Sequence, residues 1–181
     1  VIPMAGKSQR FFTRGYSLPK FLLPLPTGET VIEAVISCFA DTDDYHFIIS
    51  SSLENKFRVI NCLRSLRLKN ATYHVIEDND EGPVKSVLAV KEILDSEPLI
   101  ISYCDFIVDW DYRRFLQVCQ DAEMAIPFFS GFHAASIGET FYAYMMLDHS
   151  GCVQNLREKR SFTENRMEEP ASTGAYYFSS G

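Results

Sequence analysis

Through the first two thirds of the chain, short apolar runs alternate with segments of helical periodicity. Val1–Met4, His46–Ser50, Thr72–Ile76 and Leu99–Tyr103 have strand length and are predicted as strands. The segments between them carry helix-start signals. Thr30 and Glu33 form a capping box ahead of Val35, Ile36 and Phe39, and Ser51 with Glu54 repeats it ahead of Phe57, Ile60, Leu63 and Leu66. Pro83 suits a first helical turn with Val84, Val87 and Leu88 on one face, and Asp111 suits the cap of a helix through Phe115, Leu116 and Cys119. Strands alternating with helices predict parallel pairing, right-handed crossovers and a sheet buried on both faces. After residue 123 the rhythm changes to strands: Met124–Phe129, Phe141–Leu147, Cys152–Leu156 and Gly174–Phe178, with His149-Ser150-Gly151 as a hairpin loop. No repeat or linker interrupts the pattern, so one α/β domain over 1–181 is expected.

Composition narrows the function. The 181 residues are 46% hydrophobic, enough for one domain with a core. No apolar run is long enough to span a membrane, and no secretory signal pattern opens the chain. The sequence starts at Val1 rather than Met, and the expectation is that a few leading residues and a C-terminal segment are missing. Seventeen Lys and Arg against 24 Asp and Glu give a net charge of −7, which argues against a nucleic-acid partner held through phosphates. The distribution matters more. Residues 1–28 hold Lys7, Arg10, Arg14 and Lys20 and no acid, a local +4, so the other 153 residues carry −11. A basic island on an acidic body suits a focused anionic ligand. Five scattered cysteines without a C-x-x-C pair fit a reducing compartment, and the four histidines show no metal-ligand spacing. Cytoplasmic localisation is therefore expected, and 13% aromatic content leaves room for a homo-oligomer interface.

The strongest chemical segment is residues 2–25, IPMAGKSQRFFTRGYSLPKFLLPL. A hydrophobic strand runs into Ala5-Gly6, then a polar turn of Lys7 and Ser8, then Arg10. Gly6 tolerates unusual backbone angles and lets amide groups approach a phosphate closely. Arg10 offers a planar fork to phosphate oxygens, and Lys20 places a point charge behind the rigid Pro19.

This string resembles the N-terminal signature of the sugar-phosphate nucleotidylyltransferases, strand, A-G-x-G-[ST]-R-[FL], then P-K-P-L-[IL]-P. It stands here as Ala5-Gly6-Lys7-Ser8-Gln9-Arg10-Phe11 and Pro19-Lys20-Phe21-Leu22-Leu23-Pro24. Gly15-Tyr16 and Phe21 resemble members from capsule and surface-polysaccharide pathways. Further along, Glu81-Gly82, Ser86–Leu94, Pro98–Cys104 with Asp105, Glu158-Lys159 and Ser172–Phe178 resemble later stretches of the same family, in order. The resemblance implies a three-layer α/β/α Rossmann-like fold of GT-A type with a mixed, mostly parallel central sheet. Two departures stand out. Ser8 replaces the second signature glycine and Gln9 the usual Ser or Thr, and the chain ends before the aspartate that the family uses as a second metal ligand.

By that resemblance the protein joins a nucleoside triphosphate to a sugar 1-phosphate or similar small phosphomonoester and releases pyrophosphate. Ala5, Gly6, Lys7 and Ser8 would cradle the triphosphate, with Glu81 and Gly82 near the base. Arg10 would stabilise pyrophosphate, Lys20 would sit by the α-phosphate, and Asp105 would bind Mg²⁺. Glu158, Lys159 and Gly174 would hold the acceptor. On residues alone, other readings stay open: Asp109 and Asp111 as caps or solvated groups, Glu158-Lys159 as a surface pair, Gly174 as a packing glycine, Glu77–Glu81 as a solvated loop, and Trp110 as structural. Two other functions compete, a GT-A glycosyltransferase consuming a nucleotide sugar and a non-catalytic nucleotide-binding domain.

Overall fold

The structure, a computed structural model, describes residues 1–94, 97–133 and 142–180. Phe141, the predicted start of one strand, lies outside them. The chain divides into two compact units, Val1–Met124 with Tyr177–Gly181, and Ala125–Tyr176.

In the first unit, β1 (Ile2–Pro3), β2 (Tyr45–Ser50) and β3 (Ala71–Ile76) run parallel with β2 in the middle. Ile2 sits opposite Phe47, and Tyr45 opposite Ala71. β4 (Leu99–Ser102) lies on the other side of β1, where the Ser102 N–H donates to the Val1 carbonyl at 2.9 Å. The Val1 amino group in turn donates to the Ile100 carbonyl at 2.6 Å, so β4 meets β1 at Val1 while β2 and β3 step away from β1 in the other direction, and open α/β sheets bind ligands at the carboxyl ends of strands so arranged. β2 is buried on both faces, as a parallel sheet requires. Phe47 and Ile49 face one core with Ile2, Met4, Phe21, Val35 and Leu63, and Ile48 faces a second with Val90 and Leu94.

The helices follow local chemistry with one exception. α2 (Val31–Ile36) starts on the Thr30–Glu33 capping box, with both reciprocal bonds formed. The stretch predicted as one helix after Ser51 is two. α3 (Ser51–Phe57) and α4 (Val59–Arg64) are separated by Arg58 at φ 52°. Glu54 does not close a capping box there; its carboxylate accepts the Ile60 N–H at 2.9 Å and so serves the start of α4. α5 (Pro83–Leu88) has Pro at its first turn and gives way to a 3₁₀ turn at Lys91–Ile93. α6 (Tyr112–Cys119) is capped by Asp111, which accepts the Arg114 N–H at 3.0 Å. Trp110 is structural: its indole N–H donates to the Cys38 carbonyl at 2.7 Å and its ring packs on Phe39 and Phe115.

In the second unit, β6 (Phe128–Phe129), β7 (Ala143–Leu147), β8 (Val153–Glu158) and β9 (Ala171–Ser172) form an antiparallel sheet in the order β6–β9–β7–β8. The predicted run Met124–Phe129 is interrupted at Ile126-Pro127, where proline has no N–H for a ladder, leaving β5 (Met124–Ala125) separate from β6. The β7–β8 hairpin turns at the predicted place, with Asp148 accepting the N–H groups of Ser150 and Cys152 at 2.9 Å each. Glu169, buried, accepts from the Phe162 N–H, the Thr163 N–H and the Thr163 hydroxyl at 2.8, 2.6 and 2.6 Å. That carboxylate holds the 159–170 loop in place. A last strand, β10 (Ala175–Phe178), carries Tyr177 and Phe178 back into the first unit.

Candidate active site

The basic island follows the carboxyl end of β1. β1 delivers Met4 and Ala5, both buried, then Gly6 and Lys7, both exposed. Ser8 follows at φ 50°, ψ 25°, and α1 (Gln9–Phe12) begins on its carbonyl with Arg10 exposed on the turn. The left-handed position of the loop is thus Ser8, not Gly6. A Cβ at Gly6 would meet nothing within 4 Å, so the glycine keeps open the space over the loop. Holding serine in the left-handed region costs on the order of 1 kcal/mol, which locates the reason for a glycine in the family pattern at this residue.

Lys20 opens a 3₁₀ turn, Lys20–Leu22, after Pro19 at φ −63°. Pro19 before the lysine and Phe21 and Leu22 after it are buried, so the turn is anchored on both sides of the lysine's backbone. From there the Lys20 ammonium reaches Asp105 Oδ2 at 2.8 Å, with the two side chains 27% and 37% exposed. Both therefore remain open to a ligand. Asp105 lies three residues beyond β4, past the buried Cys104, at the carboxyl end predicted from the apolar run. Burial works against the Lys20 charge, but interactions with Cys104 and Asp105, the hydrogen bond to Asp105 among them, more than reverse it, against an opposing push from Arg10. Burial pushes the Cys104 thiol up to about 11. At neutral pH the thiol is protonated, and the close partner of the Lys20 ammonium is Asp105.

The loop after β3 closes on the same island. Lys7 Nζ lies 2.7 Å from Asp80 Oδ1, and this exposed pair raises the lysine's pKa, the hydrogen bond first and the charge second. The Ser52 hydroxyl and the Ser52 N–H, the latter at 3.2 Å, bond to Asp78 and hold its carboxyl below the ordinary carboxylate range. Glu81 pairs with Lys85 at 3.4 Å, and Gly82 takes φ 93° ahead of α5, a value glycine reaches without strain. Asp80 and Asp78 are site neighbours that sequence reasoning left in a solvated loop. Their signal was the acidic run itself, the charge complement of residues 1–28.

The first unit thus brings together Lys20 with Asp105, and Lys7 with the loop that carries Glu81 and Gly82. Glu158, Lys159 and Gly174 belong to the second unit. Lys159 ends β8 at φ 55°, its N–H donating to the Tyr142 carbonyl at 2.9 Å, and its ammonium is 3.7 Å from Glu158. Gly174 takes φ 76° between β9 and β10, with its N–H donating to the Ser172 hydroxyl at 3.0 Å. A hard carboxylate at Asp105 fits Mg²⁺, which takes one or two carboxylates together with substrate phosphates and water. Among the described residues no three His, Cys, Asp or Glu side chains cluster to hold a metal by themselves.

Comparison with known proteins gives the family and the fold. The chain belongs to the nucleotidyl transferase family, whose model matches residues 1–181. No match was found among curated proteins. Among solved structures, the chain is similar to the nucleoside-diphosphate-sugar pyrophosphorylase from Vibrio cholerae RC9, at 22% identity and TM-score 0.75, covering 99% of this chain and 72% of that one. It is also similar to HddC from Yersinia pseudotuberculosis complexed with GMP-PN, at 16% identity and TM-score 0.70, covering 98% and 75%. A UDP-glucose pyrophosphorylase complexed with UDP-glucose matches at 16% identity and TM-score 0.70, covering 98% and 74%. At these identities the similarity establishes the mixed α/β, GT-A-like fold. No helix among the described residues is long and apolar enough to cross a membrane.

Proposed function

We propose that the protein is a nucleotidylyltransferase that joins a nucleoside triphosphate to a sugar 1-phosphate or similar small phosphomonoester and releases pyrophosphate. The observation that carries this reading is the Lys20 ammonium at 2.8 Å from Asp105, just past the carboxyl end of β4. The solved relatives complexed with GMP-PN and with UDP-glucose support nucleotide and nucleotide-sugar chemistry. The Gly15-Tyr16 and Phe21 features favour activation of a precursor for capsule or surface polysaccharide, and the five scattered cysteines favour a cytoplasmic setting for it. The family match over 1–181 favours one catalytic domain across the whole chain.

The acceptor phosphate is already a nucleophile. One of its oxygens attacks the α-phosphorus, the bond from that phosphorus to the bridging oxygen breaks, and pyrophosphate departs with the electron pair. Such a step needs in-line placement and neutralised charge rather than a nucleophilic side chain. Ala5, Gly6, Lys7 and Ser8 line the triphosphate through their backbone N–H groups, with Arg10 at its departing end and Glu81-Gly82 by the base. Lys20 stabilises the charge that builds on the α-phosphate. Asp105 is the Mg²⁺ ligand, and the ion when bound supplies charge neutralisation at the phosphate oxygens. Lys159 holds the acceptor's phosphate, Glu158 its hydroxyl or amine groups, and Gly174 lines its pocket. Pyrophosphate release, measured for four nucleoside triphosphates against a panel of phosphorylated acceptors, tests the reading. Turnover only with a ready-made nucleotide sugar, or thermal stabilisation by nucleotide without turnover, would overturn it.

A further inference from the structure

Ser8 does two things at once in the backbone of the candidate site. Its carbonyl accepts the N–H groups of Phe11 and Phe12 at 2.9 and 3.3 Å, which begins the turn carrying Arg10. Its hydroxyl oxygen accepts the Lys20 N–H at 3.1 Å, from twelve residues along the chain. That N–H needs an outside partner, because the first amides of a helical turn have no carbonyl behind them. Pro19, the residue before it, makes no side-chain cap. Ser8 fills the role from a distant loop, and does so in a left-handed conformation that glycine would hold without steric cost. The hydroxyl is what glycine lacks. The contact then continues outward: Ser8 Oγ to the Lys20 backbone, and the Lys20 ammonium to Asp105 at 2.8 Å.

We propose that Ser8 is a positioning residue for nucleotidyl transfer, fixing the Lys20 backbone against the loop that bears Arg10 so that both cations meet one polyphosphate. This rests on the functional reading above. It differs from a role in which the hydroxyl donates directly to a nucleotide phosphate. A ligand contact would move the KM for nucleotide, whereas a positioning contact acts on the transition state and moves kcat.

The test compares Ser8→Ala, Ser8→Gly and Ser8→Asn in the full chain, with kcat and KM from pyrophosphate release and Lys20 amide exchange followed by NMR. Ser8→Ala and Ser8→Gly are expected to lose about tenfold in kcat with the nucleotide KM held within about twofold, the scale of one lost hydrogen bond. Lys20 amide exchange is expected to quicken by about tenfold in both. Ser8→Asn, which tolerates the left-handed region and offers an acceptor oxygen, is expected to recover most of the loss. The proposal is overturned by unchanged kcat in Ser8→Gly, by a raised nucleotide KM at constant kcat, or by unchanged Lys20 exchange. A loss in Ser8→Ala that Ser8→Gly restores would assign the effect to backbone strain and overturn it as well. A wild-type chain that releases no pyrophosphate with any pair would refute the functional reading itself, a result distinct from all of these.

Discussion

Replacing Lys20 by alanine separates the catalytic demand on this residue from its structural one. At 2.8 Å from Asp105, Coulomb attraction is about 1.5 kcal/mol at the dielectric of water and about 6 kcal/mol at an effective constant of 20, before desolvation is subtracted. With the side chains 27% and 37% exposed, solvent screening brings the net contribution of the pair to roughly 1 kcal/mol or less. For a chain of 181 residues, that is a fall of about 2–4 °C in thermal midpoint. The catalytic demand is larger. A preorganised donor aimed at charge that develops only in the transition state is worth roughly 10²- to 10³-fold in kcat. Lys20→Ala should therefore melt close to wild type and turn over at least a hundredfold more slowly. Thermal unfolding and pyrophosphate release on the same preparation check both. Near-normal turnover would refute the assignment, as would a loss of turnover that merely follows the unfolded fraction.

Two further outcomes are expected. Asp105→Asn removes the carboxylate proposed for Mg²⁺, so the Mg²⁺ concentration for half-maximal activity should rise by at least about tenfold; an unchanged titration midpoint would assign Asp105 to Lys20 alone. In the second unit, the Glu169 carboxyl is held below its ordinary value although burial pushes the other way, because Phe162 and Thr163 donate to it. Its stabilising contribution is therefore complete above the ordinary value of 4.5 and is lost as pH falls through the depressed folded value. Glu169→Ala should cost about 1–3 kcal/mol at neutral pH by stranding those donors. Its deficit should shrink in acid, as read by denaturant unfolding at a series of pH values.

What the sequence disclosed of the fold was chemistry that closes over a few residues. Thr30 and Glu33 bond each other's backbone three positions apart, so the start of α2 was written in the chain and formed as written. The same pattern at Ser51 and Glu54 misled, because Glu54 had a second partner available, the Ile60 N–H beyond the break at Arg58. Only the packed arrangement of α3 and α4 decides between the two. Pro127 was legible as a strand breaker, but the length of the apolar run from Met124 outweighed it in a reading based on hydropathy.

The site divides along the same line. Asp105 was legible because an apolar run that ends in a carboxylate specifies both the strand and the end of the strand on which the carboxylate lies. Lys7 was legible as a cation but its partner was not, since Asp80 stands 73 residues away and no local pattern connects them. Ser8 is the more instructive case. In the sequence it is a departure from a glycine-bearing motif, and a missing glycine reads as a loop of altered shape. In the structure the left-handed turn is retained at φ 50°, and the serine adds a bond to the Lys20 backbone that glycine cannot make. The strain of the loop is thus offset by a contact that also fixes a site lysine, so the departure from the motif bears on where Lys20 stands as well as on the shape of the loop.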